Sequence, residues 1–215
     1  MSESMMNFTV ETLLTQTASN APTPGGGSIG GLVGALGAAL GEMVCALSVG
    51  KKAFMALPEE EQQAMQTEAA RLTELRRQLT VQMLEDAKVF SVYMAAIKLP
   101  KETEAQKTTR RQAMDAAAIG AFSAPLGTAE LSREILRHLP AIARNGVKGA
   151  ISDAGCAAVL ASAAFETSLL NIRINLPAVK DADLQEKGRQ MLAAQPEVEA
   201  MKTAILDCVN QRLEA

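Results

Sequence analysis

Aromatic side chains are nearly missing from these 215 residues, with five Phe, one Tyr and no Trp, 3% in all. A core built around large rings is therefore excluded. The 48% hydrophobic content is mostly Ala, Leu, Met, Val and Ile, and such small side chains favour close helix-on-helix packing. No run of alternating β-branched residues occurs, so a sheet has no sequence support, and there is no internal repeat. Histidine is down to one, His138, which removes zinc sites of the usual His/Cys spacing and leaves a Ser-His-Asp triad only that one ring. His138 stands just before Pro140, where a cation closing a helix C-terminus is the plain reading. Cys45, Cys156 and Cys208 are odd in number, far apart and in no paired motif, so a disulfide framework is not expected and a reducing, cytoplasmic setting is. A net charge of -3 and a pI near 5.4 give no general attraction to phosphate backbones. Nucleic acid is accordingly not an expected partner, and any anionic ligand has to be met locally. No basic segment leading into an apolar core and cleavage site marks the start as a signal peptide. The stretch 28–50 is apolar enough to raise the question of a membrane span, but Glu42 falls in its middle and glycines thin it, so a buried helix is expected instead.

What is present reads as helices throughout. Residues 8–19 carry Val10, Leu13 and Leu14 on one side, and the run Asn20-Ala21-Pro22-Thr23-Pro24-Gly25-Gly26-Gly27 then breaks the helix. Ser28 is the natural N-cap of the next one. Along it Gly27, Gly31, Gly30, Gly34, Gly37 and Gly41 leave one face nearly bare backbone, where another helix can approach closely, and Lys51 and Lys52 suit its C-terminal end. Pro58 followed by Glu59, Glu60 and Glu61 opens a helix that meets no Gly or Pro before Pro100, which predicts about 40 residues of continuous helix. Helix resumes near Thr103, meets Pro125 and runs to about His138. A further long helix spans 152–174 and ends before Pro177, with shorter ones over 181–194 and 197–213. The fold class is all-α: a single-domain multihelical bundle over residues 1–215. The glycine-lined face and the scarce aromatics point to burial against a second subunit.

One acid stands out. In the long helix Leu72, Leu75, Leu79, Met83, Phe90, Tyr93 and Ile97 step by three and four and define one apolar stripe, and Asp86 falls on the same stripe. A carboxyl group held against hydrocarbon at a cavity wall is suited to proton transfer, while the bland alternative is an aspartate paired with a neighbouring helix. The Gly25-Gly26-Gly27-Ser28 turn opens a helix, whose free N–H groups can meet an anion or let a ligand lie against the chain. It is equally readable as a plain interhelical turn. Asn171 and Asn175, four apart on a small-residue face, can read the donor and acceptor edge of a heterocycle, or can simply cap and cross-link helices. Ser152-Asp153 reads as an N-cap pair, and Lys107, Arg110 and Arg111 as a solvated basic face or a site for an anionic tail.

These residues together resemble a known family. Pro22-Thr23-Pro24-Gly25-Gly26-Gly27-Ser28 leading into Gly37-Ala38-Ala39-Leu40-Gly41-Glu42-Met43-Val44 is similar to the opening of the cyclodeaminase domain of formiminotransferase-cyclodeaminase. Asp86-Ala87, Phe90, Tyr93, Ala96 and Leu99-Pro100 are similar to its second block, and Ser152-Asp153, Asn171 and Ile174-Asn175-Leu176 to its last. The resemblance implies a helical homodimer that converts 5-formiminotetrahydrofolate to 5,10-methenyltetrahydrofolate and ammonia. The alternative it implies is the related activity of methenyltetrahydrofolate cyclohydrolase, and outside the enzyme class a folate-carrying or helical dimerisation module is the rival. It further implies Asp86 as the catalytic acid and base, Gly25 to Ser28 as pocket wall, Asn171, Asn175 and Asp153 on the pterin, and Lys51 or Arg111 on the glutamate tail. No metal and no cofactor beyond the reduced folate itself are implied, and formimino transfer is expected to need a separate formiminotransferase. One departure from the family pattern is Gly146-Val147, where many relatives have Gly-Asn; Asn145 is its neighbour here.

Overall fold

The computed structural model describes residues 4–215, and among them there is no strand. Eight helices follow in order: α1 (Val10–Thr17), α2 (Gly26–Ser48), α3 (Lys52–Met55), α4 (Glu59–Ile97), α5 (Glu104–Asn145), α6 (Ile151–Asn175), α7 (Ala182–Ala193) and α8 (Gln195–Glu214). The 39-residue α4 begins where Pro58 and three glutamates put it, with carboxylates at the positive end of the helix dipole. Its last turn is closed from outside, because the Arg110 Nε donates to the Ile97 carbonyl at 3.1 Å. A capping box of Thr103 and Gln106 then starts α5.

Two boundaries differ from the sequence expectation. α5 does not stop near His138 but runs 42 residues through both Pro125 and Pro140 to Asn145. An internal proline costs about 3 kcal/mol of helix stability. Here Leu136, Leu139, Ile142 and Ala143 around Pro140 are all fully buried, and that packing holds the helix together across it. His138 therefore sits inside a helix, where its Nδ1 pairs with the Glu68 carboxylate on α4. The second difference concerns α2, which begins two residues ahead of Ser28 with Gly25 as its N-cap and no side-chain cap.

α2 lies at the centre, packed between α4 on one side and α6 on the other, with α5 beneath. Both flanking helices run antiparallel to it: Gly31 lies beside Met83 and Gly41 beside Leu72 on α4, while Gly30 faces Ala164 and Gly37 faces Ala157 on α6. A Cβ on Gly31 would come within 2.9 Å of the Met83 backbone N, so bare backbone is what lets α2 and α4 touch. The glycine face is thus consumed inside the chain and is not the surface offered to a second subunit. α8 covers α6 and α5 on the far side. One continuous core, from Ala35 and Phe54 through Phe122 and Phe165 to Val209, joins these helices. α2 and the stretch 148–178 are long and apolar enough to cross a membrane, yet about half of each is buried within the bundle.

Candidate active site

Where α2 starts, α6 ends, and the α4–α5 hairpin projects beyond both, a cleft of about 270 Å³ opens. Pro22, Thr23 and Gly25 to Gly27 form one wall, Asp86, Val89, Phe90 and Tyr93 of α4 a second, and Ala121, Asn171, Ile174 and Asn175 the third. The size suits a single fused heterocycle with a short extension, and the mix of apolar wall and few polar groups is that of a small-molecule site.

Asp86 is half-buried and held on one side only: the Ser28 Oγ donates to its Oδ2 at 2.7 Å. Ser28 is fully buried in the first turn of α2, so its hydroxyl serves the carboxylate and does not cap the helix. Gly27 makes this possible, because a Cβ there would collide with Asp86 Oδ1. Among the described residues the backbone N–H groups of Gly26 and Gly27 find no acceptor, and both residues line the cleft, so the positive end of α2 opens into it beside the carboxylate.

Both carboxamides are fixed by backbone. Asn171 Nδ2 donates to the Thr167 carbonyl at 2.9 Å, and Asn175 Nδ2 donates to the Ala121 carbonyl at 2.9 Å. Each keeps a free carbonyl oxygen and a second N–H, an acceptor and donor pair suited to the amide edge of a pterin. The structure thus brings Gly25, Gly26, Gly27, Ser28, Asp86, Asn171 and Asn175 together.

Three expected site residues lie elsewhere in the chain. Asp153 occupies the first turn of α6, at the other end of the helix that carries Asn171, roughly 27 Å away at about 1.5 Å per residue. It suits the helix dipole there, and Ala150 rather than Ser152 is the N-cap. Lys51 follows the C-terminus of α2, separated from the cleft by the whole 23-residue helix. Arg111 is exposed on the projecting part of α5, some three turns beyond Ala121. Gly146-Val147 is also remote, with the Val147 N–H donating to Ser48 Oγ at 2.8 Å at the end of the bundle opposite the cleft. Conversely Ala121 and Val89 enter the cleft without a sequence signal, whereas Phe90 and Tyr93 continue the α4 stripe past Asp86.

A second groove, about 280 Å³ between α5 and α8, is lined by Leu136, Pro140, Ala143, Met201 and Ile205, with Arg137 and Arg144 at its edge. It holds neither carboxylate nor carboxamide, and Cys208 supplies its one thiol. Among the described residues, no three His, Cys, Asp or Glu side chains gather as a metal site.

Residues 9–194 match the family model described as formiminotransferase-cyclodeaminase. The chain is 33% identical to methenyltetrahydrofolate cyclohydrolase of Methylorubrum extorquens, over 96% of this chain and 98% of that one. It is 30% identical to formimidoyltransferase-cyclodeaminase of Gallus gallus over 89% of its own length, but spans only 35% of that longer protein. Among solved structures, formiminotetrahydrofolate cyclodeaminase from Thermotoga maritima superposes with a TM-score of 0.77 at 27% identity, covering 97% of both chains.

Proposed function

The chain belongs to the formiminotransferase-cyclodeaminase family and is an enzyme of folate one-carbon chemistry, a cyclodeaminase or a methenyltetrahydrofolate cyclohydrolase. From that premise we propose that it closes the ring of 5-formiminotetrahydrofolate to 5,10-methenyltetrahydrofolate with release of ammonia. The observation that carries this reading is Asp86, a carboxylate held, among the described residues, by Ser28 alone, at the wall of a cleft whose other polar groups include two fixed carboxamides and an open helix N-terminus.

The N10 amine attacks the carbon of the protonated formimino group, whose exocyclic nitrogen already carries two hydrogens, and the new C–N bond leaves N10 one proton in excess. Asp86 takes that proton and delivers it to the exocyclic nitrogen, which departs as ammonia when its C–N bond breaks. Asn171 and Asn175 hold the pterin edge, so that the one-carbon unit lies over the α2 terminus.

A second reading is supported by the full-length likeness to the cyclohydrolase of Methylorubrum extorquens. Water would attack the methenyl carbon, Asp86 would take its proton, and the C–N5 bond would break to give the 10-formyl compound as N5 is protonated. The absorbance of the methenyl compound decides between the two. Its growth from 5-formiminotetrahydrofolate, in step with ammonia, supports cyclodeamination. Its decay without any turnover of the formimino compound supports hydrolysis, and no change with either folate removes both.

The same reading includes a cytoplasmic homodimer with no cofactor beyond the reduced folate. A separate formiminotransferase would supply the formimino substrate.

A further inference from the structure

Among the described residues, the outer face of α2 is only partly covered: Leu40 leans on the core, while Leu36, Met43 and Leu47 stay exposed. Ile29, Val33, Leu36, Leu40, Met43 and Leu47 step along it by four and three, the spacing of a heptad seam, and Leu36, Met43 and Leu47 are 50%, 38% and 46% exposed. The seam is symmetric about Ala38, so a second copy laid antiparallel on it matches Ile29 with Leu47, Val33 with Met43, and Leu36 with Leu40. The same register sets Ser48, the last residue of α2, opposite the first turn of the other copy's α2, so Lys51 and Lys52, which follow that end, fall beside the start of the partner helix.

Charge makes the two ends of α2 complementary. No Lys or Arg lines the cleft at its start, although a reduced folate ends in glutamate carboxylates. Beyond its other end Lys51, Lys52 and Lys148 are exposed and, among the described residues, have no ion-pair partner. Seams of heptad spacing cross at about 20°, so over some 13 residues the two helices diverge by roughly 7 Å, within the span of a lysine side chain.

We propose that two copies of this chain pack antiparallel along α2, and that the partner subunit's Lys51 and Lys52 close each cleft as the binding site for the glutamate carboxylates of the substrate. This deepens the folate reading and rests on it for the identity of the anion.

Mixed dimers test the lysines. Chains carrying Asp86→Asn and chains carrying Lys51→Glu/Lys52→Glu are co-expressed with different tags, and the heterodimer is isolated. Shared sites give it one intact cleft, so at low substrate it should exceed both parent homodimers, while the lysine variant alone shows KM raised roughly tenfold. A heterodimer no better than its parents overturns the proposal, as does a wild-type chain that is monomeric by light scattering. A second arm needs no turnover. With Cys156 and Cys208 replaced by Ser, the double variant Thr23→Cys/Lys51→Cys is treated with a short bis-maleimide. A covalent dimer on a denaturing gel is expected, and its absence sinks the register. Cross-linking by a chain inactive on both folates would fault the reaction assigned to the site while leaving the paired geometry standing.

Discussion

Asp86 keeps Oδ2 occupied by the Ser28 hydroxyl and Oδ1 turned toward the bare backbone of Gly27, so its rotamer is set by α2 rather than by its own helix. A positioned carboxyl group contributes about 10²–10⁴-fold to a proton-transfer step. Asp86→Asn should therefore lower kcat by that range with the circular-dichroism spectrum unchanged; ammonia release near the wild-type rate would remove Asp86 from the chemistry. Ser28→Ala frees the carboxylate without adding volume and should cost roughly tenfold in kcat with KM little altered, because orientation rather than binding is lost. Away from the cleft, Cys45 is 3% exposed, and burial, then the nearby Glu68 and Glu42 carboxylates, push its thiol from 9.0 up to about 11. The unfolded chain ionises it first, so its contribution is complete below pH ~9 and lost as pH climbs toward 11, on the order of 2–3 kcal/mol. Urea midpoints at pH 8 and pH 11 check this: wild type should lose more stability than Cys45→Ala over that interval, and equal losses would contradict it.

Helix contacts turn on backbone clearance. Gly31 has the Met83 backbone against it whereas Gly149 has nothing within 4 Å. Gly31→Val should accordingly separate α2 from α4 at a cost of about 2–3 kcal/mol and displace Asp86, one turn along α4, while Gly149→Ala stays near neutral. Denaturant midpoints together with activity would show it, and a Gly31→Val protein as stable and active as wild type would refute the close approach. How far such elements can be read from sequence depends on whether local signals compete with tertiary ones. α4 was legible over nearly its full length because Pro58, three glutamates and an uninterrupted apolar stripe all agree. α5 was cut short at His138 because Pro140 is a local stop signal, overridden by packing of Leu136, Leu139 and Ile142 that no window on the sequence contains. Ser28 looked like a cap for the same reason: its partner Asp86 is 58 residues away.

At the scale of the whole molecule the long helices have two distinct ends, and sequence blocks do not say which end a residue occupies. Asp86, Asn171 and Asn175 fall at the cleft end, whereas Lys51 and Asp153 fall at the other, because α4 and α6 both run antiparallel to α2. Chemistry and stability are separable along this axis. At the far end Arg212 of α8 donates from Nη1 to the Ala143 carbonyl at 2.8 Å and from Nη2 to the Gly146 carbonyl at 2.6 Å, closing the C-terminus of α5. Hydrogen bonds from a charged donor contribute about 1.5–3 kcal/mol, and their loss leaves the carbonyls of two buried residues unpaired. Arg212→Ala should lower Tm by roughly 3–12 °C, given about 2–4 °C per kcal/mol for a chain of this size. Its kcat/KM per folded molecule should match wild type, since α8 contributes nothing to the cleft. Calorimetry and steady-state kinetics on one preparation read both quantities. A variant with wild-type Tm, or one whose activity falls at temperatures where it remains folded, would show that the two ends of the bundle are not independent.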